Sequence, residues 1–393
     1  MHPNSAPGLV ASPLGLTLDG VALAPLARRL GTPLYVYGAA TLRARFVAVE
    51  ATLVEVGRPF AIRFAMKCNR FGPVLDLVRG LGHHIDACSP REVERALQHG
   101  FEPEQISLTA GMLSNRDLAA AARLGVRPNL DTFSALRRWA ATPDHGPTVG
   151  LRINPEVAVG WGPQLAYGNA KFGFDQAAVL EAAACAQALG LEVVEVHMHL
   201  GWGLQRASEP GMRQAFGQLA ALAAQIPTVR TVNVGGGLCW PYRPEDDPLP
   251  VATWGTILRE TLADLPPEVG IACEPGTYFA AGAGALVVEV NTVEPRVGAT
   301  WVGVDAGHAV NVFAAHYGIP MFIQPVLEPE RPLAGPVHIA GNINEANDVF
   351  ARDRPFPVVQ EGELLALWPA GAYGASMASD HCLRGRPTEV LVG

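Results

Sequence analysis

The feature that most constrains this fold is an alternation of strand-like and helix-like stretches between about residues 32 and 280. Short apolar runs, such as 61–65 and 149–153, are separated by Ala-, Leu- and Arg-rich windows of helical period, such as 89–100. About eight such repeats, spaced by about 20–40 residues, favour a (β/α)8 barrel. An open doubly wound sheet stays the alternative at this level.

The predicted barrel strands share short runs of apolar and β-branched residues. They are 34–37, 61–65, 84–87, 106–108, 127–130, 149–153, 193–197, 231–234 and 271–273. Beyond about residue 280 the helical period fades, and Val- and Thr-rich runs predict an antiparallel β domain. We therefore expect an α/β plus all-β protein, with a barrel domain over 32–280. A β-sandwich or β-barrel domain would be built from 1–31, including a strand at 14–18, and from 281–393.

Composition excludes several functional classes. The chain has 393 residues, of which 49 % are hydrophobic and 17 % charged, as expected for a well-packed soluble protein. A net charge of -8 argues against nucleic-acid binding, and no apolar stretch approaches the roughly 20 residues of a membrane helix. The six cysteines are scattered, so neither a disulfide framework nor a metal site is expected. The N-terminus lacks the pattern of a signal peptide, and a cytoplasmic location follows as the expectation.

Lys67 lies just after one of the predicted barrel strands. Apolar segments flank it at 60–66 and at 74–78. A lysine near apolar groups has its ammonium form disfavoured, and it can then act as an amine nucleophile or Schiff-base partner. For Lys67 taken alone, a surface lysine that closes a strand is the simpler interpretation.

Two further strand ends carry groups suited to a flat, phosphorylated ligand. His199 could stack on a ring or transfer a proton, although a strand-end histidine is more often structural. Gly235, Gly236 and Gly237 leave backbone N–H groups bare for a phosphate, with a tight strand–helix turn as the equal alternative.

Further polar groups follow strands later in the chain. Glu274, close to Gly276, would need a cationic partner if it is buried, such as a protonated pyridine nitrogen. Asn344 and Glu345 form a polar pair, and Tyr373 lies in a glycine-flanked loop suited to donating to a phosphate. A lysine nucleophile, a stacking histidine, a phosphate loop and a strand-end carboxylate together predict a pyridoxal 5'-phosphate site.

On these residues the chain resembles the fold-type III pyridoxal-phosphate decarboxylases, which have an alanine-racemase-like barrel. Within them it is most similar to the diaminopimelate/ornithine/arginine decarboxylase branch, from 34–37 through to 386–392. The resemblance implies that Lys67 forms the Schiff base with the cofactor, that His199 stacks on its ring and that Glu274 pairs with the pyridine nitrogen. It further implies cofactor contacts from Gly235, Gly236, Gly237, Gly276, Tyr373, Asp86 and Arg152, with Asn154 at a matching position. It also implies a homodimer in which Asn344 and Glu345 reach the partner's active site.

Departures from the family pattern bear on the substrate. Thr277 and Phe313 stand where diaminopimelate decarboxylases have arginines that bind the distal carboxylate, whereas Tyr317 is kept. Neither residue can replace a bidentate guanidinium, and each lost contact would cost about 1.5–3 kcal/mol. We therefore expect a substrate other than meso-diaminopimelate, bound by Thr277, Phe313, Tyr317, Glu345 and Tyr373. Glu345 would accept the ammonium of a basic amino acid, of a conjugate or of a carrier-tethered substrate.

Asn344 replaces the family cysteine that is thought to return a proton to the substrate. Asparagine is not an acid, so that proton would come from Lys67, His199, Tyr373 or water. The expected activity is α-decarboxylation of an amino acid or an amino-acid-derived biosynthetic intermediate. The alternatives are diaminopimelate decarboxylation itself, amino-acid racemisation on the same fold, and an inactive decarboxylase-like binding protein.

Overall fold

The computed structural model describes residues 8–161, 167, 168 and 170–393. Its strands, in chain order, are β1 Leu9–Ser12, β2 Gly15–Leu18, β3 Val21–Ala22, β4 Leu34–Gly38, β5 Phe60–Ala65, β6 His84–Ala87, β7 Ile106–Thr109, β8 Arg127–Leu130, β9 Thr148–Ile153, β10 Glu192–Met198, β11 Thr231–Asn233, β12 Gly270–Cys273, β13 Gly284–Pro295, β14 Thr300–Val304, β15 Phe322–Pro325, β16 Pro336–Ala340, β17 Val349–Pro355, β18 Leu364–Trp368 and β19 Thr388–Val392.

The α-helices of the described residues lie mostly between the strands of the first two thirds of the chain. They are α1 Leu23–Leu30, α2 Ala39–Val56, α3 Gly72–Gly80, α4 Pro90–Gln98, α5 Asn115–Arg123, α6 Phe133–Ala140, α7 Val179–Ala188, α8 Glu209–Ala223, α9 Val251–Thr261, α10 Thr277–Ala280, α11 Val312–Tyr317 and α12 Gly374–Met377. Among the described residues no helix is long and apolar enough to cross a membrane.

Eight parallel strands form a closed barrel in the order β10-β11-β12-β5-β6-β7-β8-β9. The barrel closes between β12 and β5, where Ile271 pairs with Phe60. Apolar residues of these strands, such as Ile85, Leu108 and Val232, are fully buried, as strands covered on both faces require. The predicted runs from 61–65 to 271–273 are the barrel strands, which confirms the (β/α)8 barrel and excludes the open sheet.

Local side-chain caps fix where several barrel helices begin. The Ser89 hydroxyl accepts from the Glu92 N–H at 3.2 Å and starts α4, with Pro90 at the first helical position. Ser114 and Asp117 form a capping box at the start of α5. These caps satisfy backbone N–H groups in the first turns of α4 and α5 and fix where the two helices begin.

The described chain separates into two compact units. The barrel unit comprises Phe46–Trp240 and Asp247–Tyr278, and the β unit comprises Met1–Arg45, Pro241–Asp246 and Phe279–Gly393. Residues 1–7 of the second unit lie outside the described residues. The predicted division into a barrel domain over 32–280 and a β-sandwich or β-barrel domain over 1–31 and 281–393 stays a prediction.

The β unit contains a large sheet built along the path β15-β18-β13-β14-β16-β17, with β4 paired to both β13 and β19. Its pairings are mostly antiparallel, as predicted, but β14 with β16 and β4 with β19 are parallel. The sheet is therefore mixed. Strands β1, β2 and β3 form a small antiparallel sheet of their own rather than extending the large one.

One predicted barrel strand is wrong. The run 34–37 lies in β4, which pairs with β13 through Leu34 and Val287 and takes no part in the barrel. Every residue of β4 is buried. A strand buried on both faces in a mixed sheet therefore has the same unbroken apolar sequence as a barrel strand, and periodicity cannot separate the two.

We expect Phe64→Ala to lower the free energy of unfolding by about 3–5 kcal/mol, because Phe64 is fully buried in β5 and its ring packs edge-on against Phe46. Phe60→Ala, at a partly exposed position of the same strand, is the matched control and should cost less than half as much. Urea unfolding followed by circular dichroism measures both. Equal losses would contradict this account of the barrel core.

Candidate active site

The predicted site residues of the barrel unit lie where barrel strands end. Lys67 follows β5, Asp86 lies near the end of β6, and Arg152 lies near the end of β9. His199 directly follows β10 and Glu274 directly follows β12. Because the carboxyl ends of parallel barrel strands share one rim, these five side chains belong to the rim that carries catalysis in such barrels.

Lys67 sits in a short 3-10 turn, Met66–Cys68, between two buried residues. Its side chain is 44 % exposed, and Nζ donates to Asp86 Oδ2 at 2.9 Å and to Cys88 Sγ at 3.3 Å. The amine therefore faces a carboxylate and a thiol, not the apolar groups that its sequence neighbours led us to expect. The turn aims the amine at the strand ends, as a nucleophile there requires.

Asp86 is the buried partner of that amine, with no exposed surface. Burial and the nearby Glu274 carboxylate raise the pKa of Asp86 to about 7, although Lys67 opposes the rise. Its other oxygen, Oδ1, has no hydrogen-bond partner among the described residues. Asp86 can thus hold or release a proton near neutral pH, 2.9 Å from the lysine amine.

Glu274 is a buried carboxylate held at both oxygens. Asn233 Nδ2 donates to Oε1 at 2.6 Å, and His197 Nε2 lies 3.0 Å from Oε2. Burial by itself would raise the pKa of Glu274, but His197 and the Arg63 guanidinium outweigh it and lower the pKa to about 2. A fixed anion at a strand end is suited to a cationic partner such as a protonated ring nitrogen.

His199 is a neutral imidazole with a defined tautomer. Its Nδ1 accepts from the Gly236 N–H at 3.2 Å, so the ring proton is on Nε2. Burial and then the charge of Arg152 lower the pKa of His199 well below its usual range. The Tyr167 ring meets the imidazole edge to face at 4.8 Å. A neutral, braced ring is suited to stacking on another flat ring.

The glycine run after β11 has to be glycine. Gly235 has a φ of +66°, and a Cβ there would lie 2.7 Å from the Met198 carbonyl oxygen. A Cβ on Gly236 would lie 2.5 Å from the Glu274 carbonyl oxygen. The loop therefore presents backbone without side chains, which is the form of a phosphate cradle.

These observations fit pyridoxal phosphate. An ionised, oriented Glu274 suits a pyridinium nitrogen, and the bare backbone of Gly235 and Gly236 suits a phosphate. Lys67 supplies the amine that covalent attachment of the aldehyde requires. The three groups follow three different barrel strands, β12, β11 and β5.

Arg152 and Asn154 contact the segment that follows β9. The Arg152 guanidinium lies over the Phe172 ring, 4.3 Å from its centroid, and Asn154 Nδ2 donates to the Phe172 carbonyl at 3.0 Å. Part of the loop between them, residues 162–166 and 169, lies outside the described residues.

Thr277 begins the short helix α10 and is buried. Its hydroxyl accepts from the Trp202 indole N–H at 2.8 Å, and Trp202 packs edge-on against Trp161 at 4.9 Å. Thr277 therefore takes part in packing within the barrel unit. Gly276, just before it, is close-packed as well, since a Cβ there would lie 2.8 Å from Cys68 Cβ.

The remaining predicted site residues lie in the β unit. Phe313 stacks on Tyr373 at 5.2 Å and contacts Tyr317 at 5.4 Å and Tyr242 at 5.9 Å. The structure thus brings the predicted residues Phe313, Tyr317 and Tyr373 together in one aromatic cluster.

Asn344 and Glu345 form a separate, exposed pair in the β unit. Glu345 Oε1 lies 2.9 Å from His381 Nε2, and both side chains are about half exposed. Glu345 is therefore held by a surface contact with an imidazole.

Four polar residues of the barrel interior were missed in the sequence. They are Arg63, Glu195, His197 and Asn233, all buried. The signal was present, because Glu195, His197 and His199 alternate along one strand end and therefore share a face. Arg63 is likewise a charged residue inside an apolar strand.

We expect Asp86→Asn to stabilise the ligand-free protein at pH 8 by about 1–3 kcal/mol. With a folded-state pKa near 7 and an ordinary unfolded value, the contribution of Asp86 to stability is complete only below about pH 4 and is lost as the pH rises through about 7. The gain should therefore shrink at pH 5. Urea titrations at both pH values measure it, with the exposed Asp144→Asn as control. A gain that does not depend on pH would contradict the assignment.

Comparison with known proteins identifies the family of this chain. The family model described as "Pyridoxal-dependent decarboxylase, pyridoxal binding domain" matches residues 40–281. A diaminopimelate decarboxylase of Methanothermobacter thermautotrophicus is 34 % identical, over 96 % of this chain and 90 % of the relative. One of Streptomyces coelicolor is 32 % identical, over 100 % of this chain and 92 % of the relative.

Solved structures agree with the sequence relatives. Diaminopimelate decarboxylase from M. jannaschii in co-complex with L-lysine matches with a TM-score of 0.90 at 26 % identity, over 99 % of this chain and 93 % of that chain. Diaminopimelate decarboxylase from Helicobacter pylori complexed with L-lysine matches with a TM-score of 0.87 at 26 % identity, over 94 % of this chain and 93 % of that chain. This chain belongs to the pyridoxal-dependent decarboxylase family, in its fold-type III diaminopimelate/ornithine/arginine branch, and is a pyridoxal-phosphate-dependent amino-acid carboxy-lyase.

Proposed function

We propose that the protein is a diaminopimelate decarboxylase, which removes one carboxyl group of meso-diaminopimelate and yields L-lysine and CO2. The observation that carries the proposal is the identity of 34 % and 32 %, over nearly the whole chain, to two proteins of that name. Two structures of diaminopimelate decarboxylases with L-lysine bound support it with TM-scores of 0.90 and 0.87.

The expectation of a different substrate is thereby corrected. It depended on two positions, Thr277 and Phe313, and full-length similarity to diaminopimelate decarboxylases contradicts it. The structure gives both residues a local packing role, Thr277 with Trp202 and Phe313 with Tyr373. The absence of arginine at these two positions therefore does not exclude diaminopimelate as the substrate, since a binding site for a carboxylate can be built from other donors. The conjugated and carrier-tethered substrates are dropped with that expectation.

Neither amino-acid racemisation nor an inactive binding role fits the family of this chain. Membership of the decarboxylase family disagrees with both. The ionised Glu274 supports the same choice. An anion opposite the ring nitrogen keeps that nitrogen protonated, which favours the acceptance of negative charge that decarboxylation requires.

We propose the following roles, of which those of Lys67, His199 and Glu274 are supported by positions at barrel strand ends. Lys67 binds the cofactor aldehyde, His199 stacks on the ring and Glu274 faces the ring nitrogen. The phosphate is bound by Gly235, Gly236, Gly237, Gly276 and Tyr373, while Asp86 and Arg152 surround the cofactor. Thr277, Phe313, Tyr317, Glu345 and Tyr373 stay the proposed substrate contacts, with Asn344 and Glu345 in catalytic positions.

Pyridoxal phosphate, when bound, accepts the electron pair that CO2 leaves behind on the substrate. The residues of this chain hold charges and protons around that event. Asp86 accepts a hydrogen bond from the Lys67 amine, and its raised pKa allows it to take a proton from that amine or return one near neutral pH. Because its pKa is well below the usual range, His199 stays neutral and adds no positive charge to the site. Asn344 cannot supply a proton, so we assign the proton that replaces CO2 to Lys67.

Diaminopimelate turnover tests the proposed function directly. We expect the protein, loaded with pyridoxal phosphate, to release CO2 and L-lysine from meso-diaminopimelate in equal amounts, with a kcat/KM at least about tenfold above that for L-ornithine or L-arginine. Lys67→Ala should fall to below about one-thousandth of this activity. Lys171→Ala, at an exposed lysine, is the matched control and should keep it. Turnover of another amino acid without diaminopimelate would contradict the proposal.

We also propose a homodimer with shared active sites, in which Asn344 and Glu345 act in the partner's site. Their exposure supports this, because Glu345 is about half exposed and its one described side-chain partner is His381 at 2.9 Å. Such a residue can exchange a surface contact for one across an interface at little cost.

Mixing two inactive variants tests the shared site. Lys67→Ala and Glu345→Ala, unfolded and refolded together, should recover about a quarter of wild-type activity, since statistical pairing leaves one intact site in half of the dimers. Lys67→Ala refolded with Glu274→Ala should recover none, because both residues lie in the same barrel unit. Absence of recovery in the first mixture would rule out the shared site.

A cytoplasmic location stays part of the proposal. In the part of the chain that the structure describes, no cysteine forms a disulfide, which accords with a reducing compartment. Cell fractionation with an antibody against this chain tests it.

A further inference from the structure

Asn233, the last residue of β11, makes three side-chain hydrogen bonds, which use both amide protons and the amide oxygen. Its Nδ2 donates to Glu274 Oε1 at 2.6 Å and to Glu195 Oε1 at 3.0 Å, while its Oδ1 accepts from the Gly235 N–H at 3.0 Å. The residue has no exposed surface. The opposite amide orientation would direct Oδ1 at two carboxylates, so the amide has one orientation.

Glu195 anchors this amide from below the strand ends. Arg63 donates to both its oxygens, at 2.7 and 2.8 Å, and Arg127 donates at 2.5 Å. Burial opposes the ionisation of Glu195, but the two guanidinium groups outweigh it and lower its pKa far below the usual range. A fully buried carboxylate with two cationic partners cannot move without leaving charges unpaired.

The carboxylate of Glu274 depends on Asn233 for the hydrogen bond at Oε1. Its contact with His197 is at the second oxygen. Removing Asn233 therefore leaves Oε1 of Glu274 with only the longer ion pair to Arg63, at 4.0 Å, which fixes the carboxylate less closely than a hydrogen bond does. It also leaves the Gly235 N–H, and with it the direction of the glycine loop, without its side-chain acceptor.

We propose that Asn233 is a positioning residue for the cofactor, which fixes the carboxylate of Glu274 and the backbone of Gly235 with a single amide anchored on Glu195. One side chain thereby sets the distance between the group that meets the ring nitrogen and the loop that meets the phosphate. The inference rests on the proposed roles of Glu274 and Gly235, and it does not depend on which amino acid is the substrate.

Asn129 provides a matched control in the same barrel interior. It too has no exposed surface, and its Nδ2 donates to Glu195 Oε1 at 3.2 Å and to Thr109 Oγ1 at 2.8 Å. These two described contacts of Asn129 reach neither Glu274 nor the glycine loop, unlike those of Asn233. A purely structural role in the Glu195 network would make the two asparagines equivalent.

The test compares Asn233→Leu with Asn129→Leu as full-length, cofactor-free proteins. Because Asn233→Leu removes a hydrogen bond to the charged Glu274, the Kd of pyridoxal phosphate, measured by absorbance titration, should rise about 10- to 100-fold in this variant. In Asn129→Leu it should stay within about threefold, although both variants lower the melting temperature. Equal weakening in the two variants would overturn the inference.

A second pair of variants, Asn233→Ser and Asn129→Ser, separates the contact of Asn233 with Glu274 from its contact with the Gly235 N–H. This pair also provides the test if the leucine variants fail to fold. In Asn233→Ser the hydroxyl can still accept from the Gly235 N–H, but it is too short to reach both carboxylates. Inorganic phosphate, used as a competitor, should therefore bind Asn233→Ser as it binds the wild type, while pyridoxal phosphate binds at least about tenfold more weakly. Asn129→Ser should match the wild type for both. Pyridoxal phosphate bound equally by the two serine variants would overturn the inference.

Glu274→Gln distinguishes failure of the inference from failure of the proposed site. If Glu274→Gln weakens pyridoxal phosphate but Asn233→Leu does not, the positioning role is wrong and the role of Glu274 stands. If neither variant weakens it, the role of Glu274 is wrong and the inference is overturned with it.

Discussion

The buried ion pair between Arg63 and Glu195 is the interaction on which the barrel interior depends. It joins β5 to β10 through two hydrogen bonds of 2.7 and 2.8 Å, and Arg127 of β8 adds a third. Burying such charges is costly unless each is paired, so the pair is weak evidence for stability. Its value is positional, because the fixed carboxylate orients Asn233, which in turn orients Glu274.

The two carboxylates at the barrel rim, Glu274 and Asp86, have opposite electrostatic environments. His197 and Arg63 keep Glu274 ionised. Asp86, beside Lys67, is buried, and burial raises its pKa so that it binds a proton near neutral pH. Two carboxylates in one site thus have pKa values of about 2 and about 7. Environments that separate the pKa values of neighbouring acids are typical of catalytic sites, where one group holds charge and the other moves protons.

The sequence predicted the barrel and the strand-end positions of Lys67, His199 and Glu274, because strand runs and glycine turns are local patterns. It misplaced 34–37, since a doubly buried strand has the same pattern in either unit. It missed the Arg63–Glu195 anchor, which joins residues 132 positions apart and appears only once the barrel closes. The substrate was inferred from Thr277 and Phe313 alone, and two positions weighed less than similarity along the whole chain.

The central claim is that this barrel binds pyridoxal phosphate through Lys67, and the chain permits a direct test because it contains only two lysines, Lys67 and Lys171. The measurement is borohydride reduction of the cofactor-loaded protein, followed by peptide mass mapping. The account predicts that the reduced cofactor is attached to Lys67 and absent from Lys171. Attachment at Lys171, or no attachment to either lysine in protein that has turned over its substrate, would contradict it.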